Sequence, residues 1–236
     1  MALMNKNTPQ KIFRDLAKLD SYAVADAIDS LRVRLSNEGS SGPGITCRTP
    51  SLAPMAGVAV TVRVRASDPP MKPAFYLEHP DWWESLEEAG YPRVLVIEDM
   101  DARPGRGSLV GPVHACIIRA LGFVGVVTTG AIRGTQRFVD VGLHAFSGNL
   151  SPSHGYSHVV EMGKPVTVAG VAVRTGDLVH GDRDGVVCLP ADLSERIPDA
   201  VARAMVRERA ICEFCASAKF SREKLRGVIG DDPSRW

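Results

Sequence analysis

Residues 93–134 read RVLVIEDMDARPGRGSLVGPVHACIIRALGFVGVVTTGAIRG, and this stretch decides the fold. RVLVIE (93–98) and FVGVVTT (123–129) are short apolar runs rich in valine and isoleucine, as in strands buried on both faces. Between them, PVHACIIRAL has Pro112 at its first turn and Gly122 just past its end, the two boundary signals of a helix. Strand, glycine-rich loop, helix and strand make a βαβ crossover. An α/β domain with parallel strands follows.

The flanking sequence fits one domain over residues 1–236. N-terminal helices span about 8–32, the core about 55–190 and a helical tail about 192–225. Thr8-Pro9 starts a helix, with Ile12, Leu16 and Leu19 at helical spacing. A second helix follows Ser21, with Ala25, Ile28 and Leu31 on one face. Residues 36–54 are rich in Ser, Gly and Pro and read as a loop. GVAVTVRVR (57–65) alternates, which predicts a half-buried strand with Val58, Val60, Val62 and Val64 inward and Thr61, Arg63 and Arg65 outward. Residues 81–89 read as a short helix. PVTVAGVAV (165–173) reads as a hairpin about Ala169-Gly170, and GVVCLP (185–190) as a strand. The tail from Asp192 to Ala216 carries Ile197, Val201, Met205 and Cys212 at roughly helical spacing.

Composition excludes several classes. The chain has 28 basic and 27 acidic residues, a net charge of +1, and is 44% hydrophobic. Such a balance argues against a protein that coats nucleic acid, and the apolar content against disorder. The opening MALMNKNTPQ has no apolar signal core, and no stretch approaches the ~18 apolar residues of a membrane span. Five cysteines, Cys47, Cys116, Cys188, Cys212 and Cys215, are odd in number and scattered, as in a reducing cytoplasm. Cys212 and Cys215 are expected as buried thiols on one helix face. These signs predict a cytoplasmic protein with neither a nucleic-acid nor a membrane partner.

Charge is uneven along the chain. Residues 102–139 hold five arginines (Arg103, Arg106, Arg119, Arg133, Arg137) and no acid. In an open α/β sheet the ligand sits at the carboxyl ends of the strands, here the loops 99–112 and 129–135. The first enters a helix N-terminus, whose amides and dipole favour an anion. The second carries Arg133, whose planar fork can grip both oxygens of a carboxylate or phosphate. RPGRG lacks the spacing of a nucleotide-phosphate loop. Asp177, Asp182 and Asp184 read as turn formers in GDLVHGDRDG.

LVGPVHACIIRALGFVGVVTTGAIRG and RTGDLVHGDRDGVVCLP, together with SYAVADAIDSL and MAGVAVTVRV, resemble the RraA-like family over roughly residues 20–215. That family includes 4-hydroxy-4-methyl-2-oxoglutarate aldolases and regulators of RNase E activity. The resemblance implies a swivelling β/β/α fold with central β structure flanked by helices. It also implies a homotrimer or a hexamer, with sites between subunits, and a divalent metal (Mg or Mn) acting as Lewis acid on a pyruvyl group. The family motif is Asp, twenty residues, then Arg-Asp. Arg133 matches its arginine, Gly134 stands at the metal-ligand position, and Pro112 stands at the earlier acid. Glu208 matches a helix glutamate that completes a neighbour's site. Gly111, Val113 and His114 would line the substrate beside Arg133. A metal held elsewhere would fall to Asp99, Asp101, His114, His154 or His158. Two readings stay open: a metal-dependent 2-oxo acid lyase (aldolase or oxaloacetate decarboxylase), and a non-catalytic anion-binding or regulatory protein on the same scaffold.

Overall fold

The computed structural model describes residues 10–71, 90–189 and 193–230. The helix start at Thr8-Pro9, the helix expected at 81–89 and residues 190–192 lie outside them. The described strands are β1 (Thr46–Cys47), β2 (Met55–Arg65), β3 (Arg93–Asp99), β4 (Ser108–Val110), β5 (Phe123–Ile132), β6 (His144–Leu150), β7 (His158–Met162), β8 (Val166–Val168), β9 (Val171–Val173), β10 (Leu178–Asp182) and β11 (Gly185–Leu189). Nine form one sheet in the order β1-β6-β5-β3-β2-β10-β11, with β4 on β5 and β7 on β2, while β8 and β9 pair only with each other. The strands β2, β3, β5 and β6 run parallel. The helices are α1 (Gln10–Leu16), α2 (Ser21–Leu31), α3 (Pro112–Ala120), α4 (Thr135–Asp140), α5 (Ile197–Cys215) and α6 (Arg222–Ile229). The result is the expected central sheet flanked by helices, with the βαβ unit at its heart.

Three apolar clusters cover the sheet. Ala115 and Ile118 of α3 and Phe138 of α4 pack on Val60, Val62, Leu95, Ile97, Val126 and Ile132. Helices α1 and α2 and the start of α5 pack on Ala56, Val58, Leu178 and Leu189. The β8–β9 hairpin lays Val166, Val168, Val171 and Val173 over Val94, Val96 and Val127. Both faces are therefore dry, which corrects the reading of β2 as half-buried. Thr61 is fully buried, and its hydroxyl lies 2.6 Å from that of Thr175. Arg63 is half-buried, pairing with Glu98 at 3.0 Å and Glu161 at 2.8 Å. Of the three residues expected outward, only Arg65 is exposed. The covering groups arrive from about a hundred residues away, so the local alternation carries no trace of them.

Two smaller corrections concern helices. The buried face of α2 is Val24, Ala27 and Ile28, with Ala25 and Leu31 only partly covered. Cys212 and Cys215 do share α5, but both are exposed. That helix buries only Ile197, Ala200 and Val201 near its start.

Asp182 ties the β10–β11 turn to α2. It is buried and accepts from the Ser21 amide at 2.7 Å, the Ser21 hydroxyl at 2.6 Å and the Asp184 amide at 2.9 Å. The GDRDG acids thus form turns, as expected, and one also holds the entry of a helix 161 residues away in sequence. Burial pushes the Asp182 carboxyl up, but the bonds from Ser21 and Asp184 outweigh it and hold the group below the usual range.

Asp182→Ala is expected to lower the unfolding free energy by about 3 kcal/mol in urea denaturation, because buried donors lose a charged acceptor. A carboxyl held low in the fold stabilises fully above its unfolded pKa of about 3.9, and that contribution is lost as pH falls through the folded value. The gap between wild type and variant therefore closes on acidification below about pH 4. Buried His144 and His180 are both pushed down by burial. They stay neutral in the fold, so they begin the acid-side loss earlier, below about pH 6.5.

Candidate functional site

The carboxyl ends of β3, β4 and β5 open onto one surface. The turn after β3 is organised by its own acids. Asp99 accepts from the amides of Gly105 at 2.8 Å and Asp101 at 3.1 Å. Asp101 accepts from the Ala66 amide at 3.0 Å, and from the Ser67 amide and hydroxyl at 2.8 Å each. Both residues are buried. Burial pushes the Asp99 carboxyl up, against the opposing pull of the Gly105 and Asp101 amides. Their oxygens serve the loop backbone, which is why an acid-bearing turn can fold into a dry corner.

From that turn β4 leads through Gly111 into α3. Pro112 takes the first helical position, where its missing N–H costs nothing. The first backbone bond of the helix runs from the Ala115 amide to the Gly111 carbonyl at 2.9 Å. The Gly111 amide donates to Nδ1 of His114 at 3.3 Å. Val113 is exposed and His114 half-buried.

Arg133 follows β5 and lies across this helix entry. Its amide donates to the Val110 carbonyl at 3.1 Å, and its Nη1 to the Pro152 carbonyl at 3.0 Å. A Cβ placed on Gly111 would stand 3.1 Å from Nε of Arg133, so the glycine lets the side chain lie flat on the helix entry. Gly134 then turns into α4 with a positive φ of 66°. A Cβ there would stand 2.4 Å from Cγ of Pro112. Residues 112 and 134 are therefore in contact, and the proline ring fills the space a side chain at 134 would need.

Gly111, Pro112, Val113, His114, Arg133 and Gly134 thus lie together at the helix entry. His154 and His158 lie on the neighbouring 151–158 segment, whose Ser153 carbonyl accepts from the Ser108 amide at 2.8 Å. Each bonds a carbonyl of its own loop through Nδ1, His154 to Gly155 and His158 to Tyr156, both at 2.7 Å. Among the described residues, no group of three or more His, Cys, Asp or Glu gathers to hold a metal. Neither the touching pair nor the loop acids fit the expected divalent ion, since hard cations need several free oxygen ligands. Glu208 lies elsewhere, exposed on α5 and facing α2, 3.5 Å from the Tyr22 hydroxyl. The sequence reading missed the Pro152 carbonyl. A main-chain acceptor has no side-chain signature.

Fold and site together define an α/β protein whose strand ends carry an arginine aimed across a helix N-terminus. The family model RraA-like (Aldolase/RraA) matches residues 22–188, and the chain belongs to this family. A Deinococcus radiodurans protein provisionally named 4-hydroxy-4-methyl-2-oxoglutarate aldolase is 32% identical over 142 residues, 58% of this chain and 78% of that protein. A protein of the same provisional name from Alkalilimnicola ehrlichii is 30% identical over 105 residues, 44% of this chain and 64% of its own length. Among solved structures, a Pseudomonas syringae pv. tomato protein described as uncharacterized superposes with a TM-score of 0.71 at 21% identity, covering 92% of this chain and 93% of that one. Streptomyces coelicolor RraAS2, described as an unusual member of the RNase ES inhibitor RraA family, gives 0.65 at 23% identity, covering 84% and 95%. No described helix is long and apolar enough to cross a membrane.

Gly134→Asp alone is expected to cost about 2–4 kcal/mol, combining a left-handed backbone with overpacking against a rigid ring. Paired with Pro112→Asp, the cost should fall to about 1 kcal/mol, because aspartate is among the residues that tolerate this conformation. Urea denaturation of both variants gives the coupling; equal costs would show that the ring does not oppose the side chain.

Proposed function

We propose that this chain binds a small carboxylate or a similar small anion at Arg133, as a member of the aldolase/RraA family. The observation that supports this reading most strongly is the seating of Arg133 over Gly111 at the entry of α3. The guanidinium meets one face of an anion, and the first-turn amides of α3 meet another. In the acid-free stretch 102–139, Arg103 and Arg106 are both exposed.

A second reading is a 2-oxo acid lyase, by aldol cleavage or oxaloacetate decarboxylation. It is favoured by the names of the relatives and by Arg133 at the motif arginine. In that case Arg133 holds the substrate carboxylate, and Glu208 acts from a neighbouring copy in a homotrimer or hexamer. The exposed length of α5 beyond Val201 suits such a contact. Metal chemistry enters this reading only if ligands outside the described cluster supply it.

Isothermal titration with pyruvate is expected to show binding that weakens about tenfold or more in Arg133→Ala, the effect of losing charge-assisted hydrogen bonds. Oxaloacetate turnover with Mg²⁺ or Mn²⁺ should not exceed the protein-free metal control. Turnover above that control, abolished in Arg133→Ala, would establish the lyase reading instead.

A further inference from the structure

We propose that Pro112 and Gly134 form a plug that makes the Arg133 site metal-independent, so that it recognises the carboxylate group itself and does not select a 2-oxo acid. The inference rests on the carboxylate reading above and specifies its ligand class: short monocarboxylates, whatever the oxidation state of the adjacent carbon.

Three observations carry it. The first is steric. From the Cβ direction of Gly134, the Pro112 ring atoms lie at 2.4, 3.0 and 3.6 Å. The ring is fixed at both ends to the backbone and cannot swing aside as a long side chain can. Proline at 112 and any side chain at 134 therefore exclude one another. The pair is one structural change and not two separate losses.

The second is the fate of nearby oxygens. Asp99 bonds the Gly105 and Asp101 amides, and one oxygen of Asp101 takes three donors. Ligating a cation with the Asp99 oxygens would release buried amides and open the turn, and the second oxygen of Asp101 is one ligand where a hard cation needs several. The third is charge. A divalent cation held beside Arg133 would be repelled by its guanidinium.

Selectivity follows from chemistry. A metal tells pyruvate from propionate because carboxylate and 2-oxo oxygens together close a five-membered chelate. An arginine and helix amides bind the carboxylate and gain little from the neighbouring oxygen. Discrimination at the second carbon should be correspondingly weak.

The experiment titrates the full chain with pyruvate and with propionate, each in EDTA and again in Mn²⁺, and records the electron paramagnetic resonance of Mn²⁺ with protein alone. For wild type, the expected affinities agree within about threefold across all four conditions, and the spectrum is that of free Mn²⁺. The double variant P112D/G134D is expected to bind Mn²⁺ and then to prefer pyruvate about tenfold or more, while G134D alone binds none. Three results would overturn the proposal. One is Mn²⁺ bound by wild type at a site lost in R133A. Another is a preference of about tenfold for pyruvate in EDTA. The third is a double variant with native circular dichroism that takes up no Mn²⁺. If neither acid binds wild type, the carboxylate reading fails with it, and the Mn²⁺ spectra still decide whether the pair closes a metal site.

Discussion

At the carboxyl end of the sheet the backbone of Gly134 rests against the ring of Pro112, and the character of that surface depends on this contact. It joins two segments of one crossover, the entry of α3 and the turn from β5 into α4. With no side chain at 134, the left-handed turn can follow Arg133 at once, and the arginine lies down on Gly111. With proline at 112, the helix begins on a residue that needs no acceptor. Glycine at 111, proline at 112 and glycine at 134 serve one arrangement: backbone and ring pack closely, and a single guanidinium is left above them.

Electrostatics follow from the same packing. Acids near the site are present, at Asp99 and Asp101, but they are buried and occupied by amides of the adjoining loop. Their work is to hold the turn after β3 in place. Arg103 and Arg106 of the loop after β3 are exposed and Arg133 is half-buried. Membership of the aldolase/RraA family supplies the scaffold; the activity is set by the side chains the scaffold carries.

Much of this was legible in the sequence because it is local. The unbroken apolar runs at 93–98 and 123–129, with Pro112 and Gly122 bounding a helix, specify the βαβ unit unaided. Arg133 and the acid-free stretch were equally visible. What escaped depends on distant partners. Thr61 looks solvent-facing until Thr175 and the β8–β9 hairpin cover it. Asp182 reads as a turn acid, and its role at the start of α2 spans most of the chain. Cys212 and Cys215 share a helix, but the elements needed to bury them do not reach that far along α5. The contact of Pro112 with Gly134 is of the same kind: each residue stands out in the sequence, but their spacing does not show that they touch.

The most direct measurement is a crystal structure of the chain grown with pyruvate and Mn²⁺, with anomalous data at the manganese edge. The account predicts a carboxylate bridging Arg133 and the first-turn amides of α3, and no anomalous peak beside Pro112. A manganese peak between residues 112 and 134, with pyruvate chelating it through its carboxylate and 2-oxo oxygens, would contradict the account.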